Sequence, residues 1–276
     1  MMKQTKHSHL RPVVLGLAAC LAMALQAQES RITERTRLLG IGSTAILDTY
    51  LSPEEYHGTG LLYRNQTLKK HPDRRLYRET THQGRVTYAR NRSESGAEMA
   101  GDYRFTYGWH WLLTTINAGN GTLEVAVGGT LNAAIGVLYN TRNGNNPAQA
   151  RLSLTANPAL DVAWKFHLKK HPFALRYALT APVAGLMFSP NYGQSYYEIF
   201  SKGNYDHNIV PTFPGNSPSM EHLLTLDFTL LRRTTVRLGY LGSYQQARPN
   251  GLKQHDYTHA FVIGIVKKFT LTHLQP

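Results

Sequence analysis

Apolar and polar residues alternate with a period of two along most of this chain, and this pattern restricts its fold more than any other feature. In the clearest segment, Tyr103–Trp111, five aromatic rings would lie on one face of an extended strand. The residues between them are Arg104, Thr106, Gly108 and His110. An α-helix would distribute the same rings around its circumference. The segment is therefore predicted to be a β-strand with one aromatic face.

The same alternation recurs down to the C-terminus. Further alternating segments are Val162–Leu168, Phe173–Thr180, Leu224–Leu230, Val236–Tyr240 and Phe261–Phe269. Their polar positions mix charged with small residues, which suits the lumen of a barrel better than the solvated face of a soluble sandwich. The chain is therefore predicted to be all-β and to form a transmembrane antiparallel up-and-down β-barrel.

The lengths of the connections predict the number of strands. Short connections are expected at 69–74, 117–121, 169–172 and 231–234, and longer ones at 48–57, 91–97, 140–149, 190–218 and 246–256. In transmembrane barrels the short turns are periplasmic and the long loops lie outside. This alternation predicts about ten strands: 37–47, 58–68, 75–90, 98–116, 121–139, 150–168, 172–188, 220–231, 233–246 and 257–271. A further hairpin within 190–218 would make twelve.

The N-terminus has the layout of a secretory signal peptide. Its first residues carry three cations, the apolar run Val13–Leu25 follows, and Ala27 offers a cleavage site. The run is too short for a membrane-spanning helix, which needs about 20 apolar residues. The predicted organisation is a signal peptide at 1–27, an N-terminal periplasmic segment at 28–36, the barrel at 37–271 and a C-terminal tail at 272–276.

The chain has one cysteine, Cys20, and the sequence Leu17-Ala18-Ala19-Cys20 resembles a lipoprotein cleavage box. Lipidation of Cys20 is therefore an alternative to simple cleavage near Ala27. The apolar run continues past Cys20, which favours simple cleavage. The mature chain would then contain neither a disulfide nor a thiolate metal site.

The net charge of +13 is typical of proteins that bind nucleic acid or an anionic membrane. Because the signal peptide directs the chain out of the cytoplasm, outer-membrane lipid and lipopolysaccharide are the predicted partners, and nucleic acid is not. The motif KKHP begins at both Lys69 and Lys169, in short turns where cations suit lipid head groups. No cofactor or metal is predicted, and any oligomeric partner is unknown.

Side chains fill the interior of barrels of this size, so a general diffusion porin is not predicted. Eight charged residues are expected to face the lumen: Arg85, Arg104, Glu124, Arg151, Lys165, Arg176, Asp227 and Arg237. Asp227 and Arg237 should pair across one hairpin. The favoured interpretation is a structural charge network, and the alternative is an ion path.

Two loop motifs, Asp48–Gly60 and Ser189–Asn208, contain the candidate functional residues. For acyl hydrolysis, Ser195 would be the nucleophile and His207 the base. Asp48, Glu198 and Asp206 would orient the base or bind a metal. The candidate ligand-binding residues are Tyr50, Tyr56, Tyr192, Tyr196 and Tyr197. A G-x-S-x-G elbow, an H-E-x-x-H helix and a calcium-loop spacing are all absent from the sequence.

These two motifs, within an alternating-strand chain, resemble an uncharacterised family of outer-membrane β-barrel proteins. That family is seen mainly in Bacteroides-type bacteria and is defined by a domain of unknown function. The resemblance covers about residues 37–271 and implies a barrel in the outer membrane. It implies no activity and supplies no catalytic residues.

Three functions remain open from the sequence. The first is an outer-membrane barrel whose extracellular loops bind a ligand. The second is a membrane-embedded hydrolase of lipids or lipopolysaccharide. The third is a secreted soluble β-sandwich that binds a glycan through tyrosine and tryptophan side chains.

Overall fold

The computed structural model describes residues 31–144, 146–231 and 234–271. The predicted signal peptide with Cys20, and the predicted tail at 272–276, lie outside the described residues.

Ten antiparallel strands form a closed wall. Consecutive strands pair with each other, β7 pairs with β10, and β12 returns to pair with β1 along its full length. The predicted ten-stranded up-and-down barrel is therefore confirmed. The wall strands are β1 (Arg31–Asp48), β2 (Ser52–Lys70), β3 (Leu76–Asn91), β4 (Ala97–Ala118), β5 (Gly121–Asn140), β6 (Ala148–Leu168), β7 (His171–Thr180), β10 (Met220–Leu231), β11 (Thr234–Ala247) and β12 (Gln254–Leu271).

Two short strands and a helix lie between β7 and β10. They are β8 (Ala184–Phe188), α1 (Tyr196–Phe200) and β9 (Ile209–Thr212). Strand β6 pairs with β7 over Ala159–Leu168 and with β8 over Ser153–Ala156, and β9 pairs only with β8 among the described residues. The alternative of a twelve-stranded wall is therefore not what forms, because β8 and β9 are additions beside the closed ring.

The two ends of the barrel differ. The turn end contains the start of β1, the end of β12 and the tight β4–β5 and β6–β7 turns, and the opposite loop end contains β8, β9 and α1. Residues 48–57 were predicted to form a long loop, but β1 and β2 are joined by Thr49–Leu51 alone. The Asp48 carboxylate accepts a hydrogen bond from the backbone N–H of Tyr50 at 3.1 Å, which stabilises this tight turn.

Strand β1 begins at Arg31, earlier than the predicted start at residue 37, so part of the predicted periplasmic segment belongs to the wall. The side chains of Glu34 and Thr36 are buried, while those of Arg35 and Arg37 are exposed. The period of two therefore continues to the turn end. These positions were not predicted to belong to a strand, because polar residues occupy both faces of β1 there.

Apolar side chains point outward all around the wall. Leu39 is 63% exposed, Val86 59%, Ile135 58% and Phe261 55%. Outward aromatic residues flank this apolar belt, with Trp109 and Trp111 towards the turn end and Tyr103 and Tyr139 towards the loop end. The predicted orientation of the strand faces is confirmed. Among the described residues, no helix combines the length and the apolar character needed to cross a bilayer.

Buried apolar side chains occupy part of the lumen. A loop-end cluster consists of Ile46, Leu51, Tyr56, Ala89, Ala100 and Leu138. A central cluster consists of Leu38, Leu62, Leu223, Leu241 and Val262. Because both clusters are apolar and buried, they narrow the water-accessible part of the interior.

Candidate functional site

Hydrogen bonds between Glu221 of β10 and side chains of the opposite wall cross the lumen. We call this group, which consists of Glu221, Arg64, Arg104 and Gln83, the central bridge. Nη1 of Arg64 donates to Glu221 at 2.7 Å, and Nη1 of Arg104 donates to it at 2.6 Å. Gln83 also donates to Glu221, at 3.4 Å. Since β2, β3 and β4 lie across the ring from β10, these bonds tie opposite walls together.

Cavities lie on both sides of the central bridge. Glu221 and Arg104 line a loop-end cavity of about 160 Å³. Leu223, the next lumen-facing residue of β10, lines a turn-end cavity of about 260 Å³ that also contains Lys70 and His71. The bridge therefore separates two chambers instead of lining one continuous pore.

The acidic and basic groups of the loop-end cavity are paired. The carboxylate of Asp256, only 3% exposed, binds both terminal nitrogens of Arg85, at 2.6 and 2.5 Å. Arg85 also donates to Asp102 at 2.8 Å. Arg151 bridges Asp256 and Asp48 at 3.4 and 3.3 Å. Each cation of this group therefore already has a carboxylate partner.

Neutral polar groups complete the lining of this cavity. Its hydroxyl and amide side chains include Asn132, Ser153, Thr155, Asn157, Ser243 and Gln245. Three buried polar atoms in the lining have no hydrogen-bond partner among the described residues: Oδ1 of Asn132, Oδ1 of Asn157 and Nε of Arg151. Buried polar groups are normally satisfied, so these atoms indicate where a solute or water binds.

A segment that we call the cap, residues 189–208, crosses the loop end. Its base is closed by the backbone bond from Ser189 N to the carbonyl of Asn208, at 2.9 Å. Tyr196 of α1 accepts a bond from Ala150 N at 2.7 Å and donates one to Gln149 at 2.9 Å. These contacts attach the cap to β6.

The other side of the cap contacts the β1–β2 turn. The hydroxyl of Tyr50 donates to the carbonyl of Gln194 at 2.9 Å, and the rings of Tyr50 and Tyr196 meet edge to face. Burial raises the pKa of Tyr50 and of Tyr196 to about 12, so both remain protonated donors at neutral pH. Because β6 lies across the ring from β1, the cap spans the barrel mouth.

The chain matches the family described as a protein of unknown function (DUF3316) over residues 12–276. It belongs to the DUF3316 family. The family resemblance expected from the two loop motifs is thus supported, while the distribution among Bacteroides-type bacteria stays a prediction. No curated protein matches the chain.

Among solved structures, this DUF3316 barrel is similar to the outer membrane protease OmpT of Escherichia coli. The identity is 6%, the TM-score is 0.49, and the match covers 88% of this chain and 98% of that one. It is also similar to the translocator domain of the autotransporter NalP of Neisseria meningitidis, at 10% identity and a TM-score of 0.38, with 94% and 96% coverage. The COG4313 outer membrane channel of Pseudomonas putida F1 matches at 8% identity and a TM-score of 0.35, with 87% and 96% coverage.

The predicted nucleophile Ser195 is the N-cap of α1. Its hydroxyl accepts from Glu198 N at 3.2 Å, and the Glu198 carboxylate accepts from both the backbone N–H and the hydroxyl of Ser195. These bonds form a capping box, and they lower the pKa of Glu198. The hydroxyl is therefore used in stabilising the start of a five-residue helix.

The predicted base, His207, has a side chain that is 80% exposed. Its Nδ1 lies 2.5 Å from the carboxylate of Asp206. On an extended chain these neighbouring side chains would diverge, but His207 has a φ of 53°, which turns the backbone. Asp48 faces the lumen beside Arg151. Among the described residues, no hydrogen bond or ion pair joins Ser195 with His207 or Asp48, so the hydrolase stays a prediction without an assembled triad.

The five candidate tyrosines occupy three environments. Tyr50 and Tyr196 connect the cap to the wall, whereas Tyr192 and Tyr197 are 86% and 64% exposed on the surface of the cap. Tyr56 is only 1% exposed, and its hydroxyl accepts from Asn140 at 2.9 Å. Tyr56 therefore belongs to the loop-end cluster and is buried in this structure, and its role in ligand binding stays a prediction.

Two groups of lumen residues were not predicted from the sequence. Asn132 and Asn157 have the parity of lumen-facing positions, but as neutral amides they were not predicted to be site residues. His110 lies between two carboxylates, with Nε2 2.9 Å from Glu79 and Nδ1 2.7 Å from Asp161. Among the described residues, no group of three or more His, Cys, Asp or Glu side chains is arranged to hold a metal ion.

Proposed function

We propose that this DUF3316 barrel lies in an outer membrane and binds a small, neutral, polyhydroxylated solute, such as a mono- or disaccharide, in its loop-end cavity. The outward apolar belt supports the location, because soluble proteins rarely expose continuous apolar surfaces of this extent. In this orientation the turn end is periplasmic and the loop end with its cap is extracellular.

One observation carries the choice of ligand class. Each arginine of the loop-end cavity is paired with a carboxylate, while the amide oxygens of Asn132 and Asn157 have no partner in the described chain. A sugar hydroxyl can donate to such an oxygen and can accept from Nε of Arg151. An anionic solute would have to displace an existing ion pair, which favours a neutral ligand.

The dimensions fit a small solute. One buried water needs about 10–15 Å³ of cavity volume, so the loop-end cavity of about 160 Å³ has room for on the order of ten waters. The central bridge lies on the turn-end side of the cavity, and Phe188 and Thr212, which belong to the strands beside the cap, line it. Binding in a chamber closed at the central bridge is therefore better supported than conduction through the lumen.

The membrane location predicts heat-modifiable migration. Protein extracted from the outer-membrane fraction should migrate faster unboiled than boiled in an SDS gel, because a closed barrel remains folded in the detergent until heated. Full solubility of the folded protein without detergent would contradict the location. The soluble β-sandwich alternative is not what forms, because the wall strands belong to a single sheet that closes into a barrel.

The ligand assignment predicts weaker sugar binding when the unpartnered amides are removed. Calorimetry on the detergent-solubilised barrel with a panel of neutral mono- and disaccharides should identify a ligand. Asn157→Ala should then weaken its binding about fivefold, the effect of one hydrogen bond of about 1 kcal/mol. Asn132→Ala should act similarly.

Asn65→Ala is the matched control, because Asn65 also has an unpartnered amide oxygen but lies on the outward face of β2. Its affinity for the sugar should equal that of the wild type. If sugar acids bind while their neutral parents do not, or if the Asn157 variant binds normally, the cavity is not the proposed neutral-solute site.

A further inference from the structure

Five basic side chains lie together on the outer surface of the barrel at the turn end. They are Arg35, Arg37, Lys69, Arg78 and Lys267, which we call the basic patch. All five are exposed, and they alternate along their strands with lumen-facing residues such as Glu34 and Val266. Their side chains therefore point away from the lumen, on the surface that also carries the apolar belt.

Within the basic patch, like charges lie directly opposite each other. The register pairs Arg35 with Lys267 in the β1–β12 ladder, and Lys69 with Arg78 in the β2–β3 ladder. Directly opposed like charges destabilise a sheet. In the described part of the chain, none of the five pairs with a carboxylate, and nearby Glu34 points inward to Arg237. An anion from outside the protein would remove this repulsion.

The basic patch lies at the level of the outward tryptophans. Arg78 is opposite Trp109 in the β3–β4 ladder, and Arg37 is followed on the outer face of β1 by the apolar residues Leu39 and Ile41. Tryptophan is enriched where lipid head groups meet acyl chains. The cations therefore occupy the interfacial level on four neighbouring strands, β12, β1, β2 and β3, where Phe269 of β12 is a neighbouring outward aromatic residue.

We propose that the basic patch binds the phosphate groups of anionic phospholipids in the periplasmic leaflet, with one phosphate between each opposed pair. The proposal rests on the membrane location given above. Thr67 lies opposite Arg35, and Thr33 lies opposite Lys69, so a hydroxyl is available beside each pair to donate to a phosphate oxygen. Phosphatidylglycerol, a net anionic lipid, suits the patch because it carries no ammonium group to oppose the charges of the patch.

The test compares two charge-matched double variants of the full barrel in detergent. Native mass spectrometry would measure the binding of phosphatidylglycerol and of phosphatidylcholine to each. Arg35→Gln/Lys267→Gln removes one opposed pair, and Lys169→Gln/Lys170→Gln removes two cations from an exposed turn at the same end. At about fivefold for each cation at an anionic surface, the first variant should bind phosphatidylglycerol about 25-fold more weakly.

The turn variant should bind phosphatidylglycerol like the wild type, and phosphatidylcholine should bind weakly to every form. Equal losses in the two variants, no loss in the patch variant, or equal binding of both lipids would overturn the proposal. Heat-modifiable migration of each variant is recorded in parallel. A wild-type barrel that shows heat-modifiable migration but binds both lipids equally would contradict the basic-patch proposal alone. A wild-type protein without heat-modifiable migration would contradict the membrane location itself.

Discussion

Replacing Asp256 by asparagine is expected to lower the free energy of unfolding of the barrel by about 3–5 kcal/mol, the cost of breaking a buried ion pair on one side. The carboxylate of Asp256 binds Arg85 through two oxygens and Arg151 through one, and it also accepts from Thr258 at 3.3 Å. Asparagine keeps the shape but removes the charge. Arg85 would then have only Asp102 as a carboxylate partner, and Arg151 only Asp48.

The measurement is urea-induced unfolding of the barrel in detergent micelles, followed by tryptophan fluorescence. The double variant Asp256→Asn/Arg85→Met should recover much of the loss, because a buried pair can often be replaced by apolar groups at little cost. Glu94→Gln is the control, since the Glu94–Arg90 pair is highly exposed and should contribute little to the free energy of unfolding. Equal effects of the Asp256 and Glu94 variants would contradict the network.

Replacing Glu221 by glutamine should destabilise the barrel by about 3 kcal/mol, because its carboxylate neutralises Arg104 and shares Arg64 with Glu79. The side chains of Arg64, Arg104 and Glu221 are 12%, 14% and 14% exposed, so water screens them little. Unlike Asp256, Glu221 connects opposite walls. Its loss should therefore also increase hydrogen exchange at backbone amides on β10.

The triple variant Glu221→Leu/Arg64→Met/Arg104→Met separates charge from packing, and it should be more stable than Glu221→Gln alone. The matched control is Glu55→Gln on the outer face of β2, where a carboxylate that is 42% exposed pairs with His255 at 2.9 Å. That change should cost less than about 1 kcal/mol. A Glu221→Gln barrel as stable as the control would show that the central bridge is not needed to hold the walls together.

Together these two groups explain how a polar lumen can be closed. Asp256 organises the charges of the loop-end cavity, and Glu221 separates this cavity from the turn-end cavity. Apart from Nε of Arg151, the unpartnered atoms of the cavity lining are the amide oxygens of Asn132 and Asn157, and this is the basis of the proposed specificity for a neutral solute. The outer basic patch differs because its cations have no carboxylate partner in the described part of the chain.

Much of the fold could be predicted because strand parity is a local property. The faces of Tyr103–Trp111, the ten wall strands and the Asp227–Arg237 pair follow from a period of two and from hairpin register. The pair is confirmed, with Nε of Arg237 donating to Asp227 at 2.5 Å. The turn at Thr49–Leu51 was not recognised, because polar residues in strands that extend past the apolar belt resemble a loop.

The candidate site was less predictable. Ser195 and His207 were chosen for their chemical types, and such residues equally serve as a helix cap and a turn. The cap itself was found through its density of tyrosines, but that density could not reveal that Tyr50 and Tyr196 attach it to the β1–β2 turn and β6. Asn132 and Asn157 could be identified as candidate site residues only from the tertiary structure, which shows that the charged groups around them are paired.

The sequence by itself determined the extended strands, the outward apolar face and the basic character of the turn end, because each depends on residues a few positions apart. The tertiary structure alone decided which lumen side chains meet. Glu221 contacts Arg64 and Arg104, which are separated from it by 157 and 117 positions. Such contacts depend on the stagger of the strands around the closed ring, and no local periodicity encodes that stagger.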